Sequence, residues 1–237
     1  MHIDHNFTAP VTAVVTACNR SDLLEQTLDS FFTFNSYQHL ARVIVVEDSG
    51  IPGINDQLKM QYANRVSWLD NKTRLGQIAA IDRAYALVDT PYIFHCEEDW
   101  EFYETGFIEA SMTILEANPK VITVWLRAHD DTNGHPLDEN FLGIAKTSCG
   151  HEVKYKKIAL DYEGCWHGFT FNPGLRRLKD FTNHFPEGFF QRLNVDRSDL
   201  HDEAMIGEIY KSLGYFAAIL AESTTFVRHT GWDQHVF

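Results

Sequence analysis

The chain has 237 residues, of which 44% are hydrophobic and 13% aromatic, enough for one large α/β domain to bury a core of its own. A formal net charge of −13 argues against nucleic acid as a partner, because binding a phosphate backbone needs a basic face. The N-terminus 1–10 is polar, no apolar run is long enough to span a bilayer, and the four cysteines show no C-x-x-C spacing. A cytoplasmic protein with reduced thiols is expected, with peripheral membrane contact left open.

Val11 to Ala17 is a β-rich run that reads as the first buried strand. After Asn19-Arg20-Ser21 comes a helix with Leu24, Leu28, Phe31 and Phe32 on one face, and the Asp22/Glu25 spacing resembles a capping box. Arg42 to Val46 is a second buried strand, ending in Glu47-Asp48-Ser49-Gly50. A weaker helix around Asn55 to Tyr62 leads to a short strand, Val66 to Leu69, and then to a polar loop, Asp70 to Arg74. The helical stretch Gly76 to Leu87 delivers the chain to the apolar run Pro91 to Cys96. Such β-α alternation implies parallel strands with right-handed crossovers and helices on both faces, so the loops after the strands converge on one edge. Those loops carry Asn19 and Arg20, Glu47 and Asp48, Lys72 and Arg74, and Glu97 to Asp99, which makes that edge a candidate nucleotide or phosphate site.

Glu97-Glu98-Asp99 follows the fourth strand directly. Three adjacent carboxylates repel one another, and a divalent ion with oxygen ligands, itself holding a phosphate, relieves that repulsion. A solvated helix start explains the same triplet. The twelve histidines are scattered, and no two stand at the H-x-x-x-H spacing of a helical metal motif.

Taken in order, V-T-A-V-V-T-A-C-N-R, V-I-V-V-E-D-S-G, N-K-T-R-L-G-Q-I-A-A and Y-I-F-H-C-E-E-D-W resemble the nucleotide-binding half of GT-A glycosyltransferases, the family 2 type above all. The resemblance covers about the first 130 residues well and the rest loosely. Two departures stand out: Cys18 replaces the usual aromatic residue before the Asn-Arg turn, and the DxD element is Glu-Glu-Asp, similar to the Glu-Asp-Asp of some N-acetylglucosaminyltransferases. The resemblance implies a Rossmann-like half at about 8–130, an acceptor-binding half at about 131–237, and a single GT-A domain over 1–237, with membership of a longer chain left open. It implies nucleotide contacts from Thr16, Ala17, Asn19 and Arg20 on the first loop, from Glu47, Asp48 and Arg74, and from Glu97 and Glu98. Asp48, with Glu47 as the alternative, is expected to read a uracil edge, and Glu97 to meet the ribose. Asp99 is the expected ligand of Mn²⁺ or Mg²⁺, and Arg74, with Lys72 as the alternative, adds positive charge near the base or diphosphate.

In the second half, Arg127 to Leu142 is polar and turn-rich, as expected of a flexible lip. Gly164 to Pro173 sets aromatics between glycines, offering Trp166, with His167 beside it, to an acceptor sugar, or else serving as buried structure. Asp202-Glu203 precedes an amphipathic helix, Ala204 to Leu213, and resembles the acidic pair that supplies the general base of inverting GT-A enzymes, with Glu203 the better match. Phe226 to Trp232 resembles the V-x-H-x-G element that closes many GT-A domains, where His229 completes the metal shell. The expected function is transfer of a sugar from a nucleotide-sugar donor, UDP-linked by preference, to a hydroxyl of a glycan or lipid-linked acceptor, with inversion. The alternatives are a sugar-phosphate nucleotidyltransferase, disfavoured by the absence of a glycine-rich loop after the first strand, and a non-catalytic nucleotide-sugar-binding domain.

Overall fold

The computed structural model describes residues 9–160, 167–195, 202–222 and 225–232. Its central sheet has five strands in the order β3-β2-β1-β4-β9. These are β1 (Val11–Ala17), β2 (Leu40–Glu47), β3 (Ser67–Asp70), β4 (Tyr92–Glu97) and β9 (Gly174–Arg177). The first four run parallel, and β9 joins β4 antiparallel, pairing His95 with Gly174 and Ile93 with Arg176. All seven residues of β1 are buried. Val11, Ala13 and Val15 enter one core while Val14 enters the other, which is why the strand reads as a continuous apolar run rather than an alternating one.

The first core packs α1 (Ser21–Phe34) and α4 (Phe107–Ala117) against the sheet. At its centre the Phe31 ring meets Phe94 at 5.6 Å and Phe102 at 5.3 Å. Truncating Phe31 to alanine would cost about 3–5 kcal/mol. The second core takes α3 (Gln77–Tyr85), α5 (Leu178–His184), α6 (Phe189–Val195) and α7 (Asp202–Ser212). The remaining helix, α2 (Asp56–Gln61), links β2 to β3.

Two smaller sheets complete the described residues. One runs β6-β10-β8-β7, from β6 (Val121–Trp125), β10 (Phe216–Leu220), β8 (Glu152–Lys157) and β7 (Gly143–Lys146). The other pairs β5 (Trp100–Phe102) with β11 (Val227–His229), antiparallel, so that Trp100 faces His229.

The expected α/β architecture is present, with two local corrections. Asp22 is not a capping residue: α1 starts after Arg20 with no side-chain cap, and Ser21 instead donates to Asn55 Oδ1 at 2.7 Å. Arg127 to Leu142 is not a loose lip. Arg127 is buried, forms a two-point pair with Asp131 at 3.0 and 2.6 Å, and lies over the Trp100 ring. Within this segment Leu137 bridges to Ile158. No helix among the described residues is long and apolar enough to cross a membrane.

Candidate active site

The loops after β1, β2 and β4 meet at the carboxyl edge of the central sheet and are laced together by their own carboxylates. Glu98 Oε1 accepts from the Cys18 backbone N–H at 3.0 Å and from Arg20 Nε at 2.9 Å. Glu47 accepts from the backbone N–H groups of Asn19 and Ser49 and from the Asn55 amide. The first loop turns sharply here because Asn19 adopts a left-handed φ of 57°, a conformation asparagine tolerates better than most residues. Asp48 organises the loop after β3. Its Oδ1 accepts from Asn71 Nδ2 and Leu75 N, and its Oδ2 from Gly76 N at 2.8 Å. From α1, Thr27 Oγ1 donates to the Glu98 carbonyl at 2.6 Å and accepts from Trp100 N at 3.1 Å, pinning the turn that carries the acidic triplet.

A cleft of about 490 Å³ opens at this edge. Thr16, Ala17 and Cys18 form one wall, Asp48, Arg74 and Gln77 another, and Glu97 to Asp99 the floor, with His229 and Gly231 on the remaining side. The β5–β11 pairing brings His229 here, and Thr230 N donates to the Asp99 carbonyl at 2.8 Å. His229 Nε2 then lies 3.2 Å from Asp99 Oδ2, and Arg20 Nη1 lies 2.9 Å from the same oxygen. Burial pushes the Asp99 carboxyl up, but His229 and Arg20 together hold it below the ordinary aspartate value. Its other oxygen, Oδ1, is buried without a hydrogen-bond partner among the described residues.

Glu97 differs sharply from its neighbours. Burial, reinforced by the charges of Asp99, Glu203 and Glu98, pushes its carboxyl up to about 8. Gln77 donates to it at 2.8 Å. Glu203, at the start of α7, is thus close enough to Glu97 for its charge to act on that carboxyl. Two donors hold Glu203 Oε1: the Thr170 hydroxyl at 3.1 Å and the Phe171 backbone N–H. Its neighbour Asp202 is exposed.

The residues expected from sequence divide accordingly. Thr16, Ala17, Arg20, Asp48, Arg74, Glu97, Glu98, Asp99 and His229 line one cleft. Glu47 is 2% exposed and turned into the loops, so its side chain faces the protein, while Asn19 contributes its backbone to that lacing and leaves its side chain exposed. Glu98 is a structural anchor as well as part of the floor. His167 is not an acceptor platform: it is buried, with Nδ1 on the Leu160 carbonyl at 2.9 Å and Nε2 on Glu208. Trp166 lies outside the described residues. Sequence reading passed over Thr27 and Thr170, both of which act through bonds to residues far along the chain.

The donor set suits a hard divalent ion. Asp99 offers an unpartnered oxygen and His229 an imidazole, but no group of three or more His, Cys, Asp or Glu converges among the described residues. An ion held here would complete its shell with oxygens of a ligand and water.

The model for glycosyl transferase family 2 matches residues 12–190. The chain belongs to glycosyltransferase family 2. Solved structures agree on the GT-A fold. A mannosyltransferase from Pyrobaculum calidifontis, in complex with GDP-Man and Mn²⁺, superposes with a TM-score of 0.61 at 15% identity, over 92% of this chain and 58% of that one. GalNAc-T7 with UDP, GalNAc and Mn²⁺ gives 0.65 at 11% identity, over 96% and 45%. TarS 1-349 of S. aureus gives 0.61 at 13% identity, over 93% and 60%. This family 2 chain therefore spans about half of each of those proteins. No curated protein matches it.

Proposed function

We propose that this glycosyltransferase is a single GT-A domain that binds a nucleoside-diphosphate sugar with Mn²⁺ or Mg²⁺ and transfers the sugar, with inversion, to a hydroxyl of a glycan or lipid-linked acceptor. The observation that carries the reading is the meeting of Asp99, with its unpartnered buried oxygen, and His229 in a polar cleft whose Glu97 feels the charge of Glu203. The metal-bound nucleotide-sugar complexes of the mannosyltransferase and the metal-bound UDP complex of GalNAc-T7 support it by likeness of fold. Asp99 and His229 would hold the ion, which when bound neutralises charge on the departing diphosphate. Arg74, on the cleft wall, adds a fixed positive charge. Asp48 Oδ2 takes one internal bond, which leaves it acceptor capacity for the N–H of a uracil.

In the reaction, the Glu203 carboxylate takes the proton of the acceptor hydroxyl as that oxygen bonds to the anomeric carbon. The bond from that carbon to the diphosphate oxygen breaks, its electron pair leaving with the nucleoside diphosphate, so one displacement inverts the centre. Glu203 fits the base better than Asp202, because two donors fix its orientation while Asp202 stands exposed. Glu203→Gln should lower turnover by about 10²–10⁴-fold with donor affinity kept. Turnover within a few-fold of wild type would remove Glu203 from this role. A cytoplasmic enzyme of polysaccharide assembly, acting alone or at a membrane surface, is the setting we infer.

A further inference from the structure

Two adjacent arginines on β9 are buried in opposite ways. Arg177 pairs with Asp180 at 2.7 Å and donates to the carbonyls of Leu115, Pro119 and Val121. Arg176, 2% exposed, has no carboxylate within ion-pair distance among the described residues, and its Nε and Nη1 have no hydrogen-bond partner. It lies against the rings of Phe169 and Phe171, 5.2 and 5.7 Å from their centroids, its Nη2 donates to the Thr170 carbonyl at 3.0 Å, and the Tyr85 hydroxyl lies near enough to feel its charge. A buried guanidinium so sparsely satisfied is costly, and apolar replacements of buried charges are often neutral or better for stability.

The Thr170 carbonyl belongs to the same peptide unit whose N–H, on Phe171, donates to Glu203 Oε1. A cation on the oxygen of an amide polarises it and strengthens its N–H as a donor. The second donor to Oε1 is backed in the same way, since Asn172 N donates to Thr170 Oγ1 at 3.1 Å.

We propose that Arg176 is a positioning residue for the general base, acting on Glu203 through the Thr170–Phe171 peptide. The arrangement answers a specific problem. Glu203 is near enough to Glu97 on β4 for their charges to interact and has Asp202 beside it on α7, while α6, packed against α7, carries Arg192 as its one charged side chain. Like charges favour protonation of a carboxylate, and donors to the anion oppose it. Arg176 keeps Glu203 deprotonated and in one orientation from behind the peptide, without occupying the space in front of it.

The proposal rests on the reading of Glu203 as base, yet its test needs no turnover. Carboxyl ¹³C NMR of glutamate-labelled protein, with Glu203→Gln identifying the resonance, gives the titration midpoint of Glu203. In wild type the Phe171 amide proton should titrate with that midpoint. In Arg176→Met the midpoint should rise by about one unit, and in Arg176→Lys, which keeps charge but loses the planar fork, by less. An unmoved midpoint in either folded variant, or a Phe171 amide that ignores the Glu203 titration in wild type, would overturn the coupling. Retained turnover in Glu203→Gln would instead overturn the base reading and leave the coupling standing, so the two failures are distinct.

Discussion

Gly231 stands against Asp99 with no room for a side chain: a Cβ on residue 231 would lie 2.4 Å from Asp99 Oδ2 and 2.7 Å from Asp99 Cβ. The second contact matters more, because a Cβ cannot swing aside as the end of a side chain can. Gly231→Ala should therefore shift the β11 exit or the acidic turn, costing about 1–3 kcal/mol of stability. Metal-dependent nucleotide binding should fall by tenfold or more, about 1.4 kcal/mol. Calorimetric titration of the variant with nucleoside diphosphate and Mn²⁺ checks this, and an unchanged affinity would show that the cleft tolerates the displacement.

Glu98 and Asp99 are neighbours with different duties, and mutation should separate them. Glu98→Ala leaves the Cys18 N–H and the Arg20 Nε without their acceptor, and breaking a buried pair of this kind costs about 3 kcal/mol. Asp99→Ala also removes a partner of Arg20, but it relieves repulsion on Glu97 and deletes a buried, half-satisfied carboxylate. Urea unfolding should show the larger loss for Glu98→Ala, and ligand titration the larger loss for Asp99→Ala.

Thr27→Val keeps the shape of a fully buried side chain while removing the hydroxyl that holds Glu98 O and Trp100 N. Leaving both groups unsatisfied should cost about 1–3 kcal/mol. Thr27 sits on α1 outside the cleft lining, so a weakening of metal binding along with the stability loss would show that the helix sets the triplet's position.

Two histidines set a pH dependence. Burial pushes His135 down to about 4 and holds His95 well below the ordinary value, the latter with Arg176 reinforcing the effect. An unfolded imidazole takes its proton near 6.5, so between about 6.5 and 4 the unfolded chain binds more protons and stability falls as pH falls. Glu97 acts with the opposite sign, since the folded state holds its proton up to about 8. The informative quantity is therefore the difference between wild type and His135→Gln, in which the Glu97 contribution cancels. That stability difference should move against wild type as pH drops from 6.5 toward 4, and a difference independent of pH would remove His135 from the explanation.

Much of the fold was readable in the sequence because strands buried on both faces, such as Val11 to Ala17, leave continuous apolar runs that few other elements produce. The polar edge was readable for the same reason, as each run ends abruptly in charge. What could not be read was which carboxylate faces a ligand and which faces the protein. Glu47 and Asp48 look alike in sequence. Yet Glu47 is spent on Asn19, Ser49 and Asn55, whereas Asp48 reaches the cleft while gathering the loop at Asn71 to Gly76. Backbone donors far along the chain decide this, and they carry no residue signature. His167 misled for a similar reason, its burial depending on Glu208 and on the Leu160 carbonyl. Short strands such as β5 and β11 have no period of their own, so the meeting of His229 and Asp99 was implied by the V-x-H-x-G resemblance, whereas the strand pairing that produces it was not readable.

The most direct test of the central claim is calorimetric titration of the protein with UDP and GDP, each in Mn²⁺, Mg²⁺ and chelator, alongside Asp99→Ala and His229→Ala. Binding of one nucleoside diphosphate that requires the ion, is abolished by Asp99→Ala and is weakened by His229→Ala is the predicted result. Equal binding in chelator, or binding that survives Asp99→Ala unchanged, would contradict a metal-held diphosphate at this cleft.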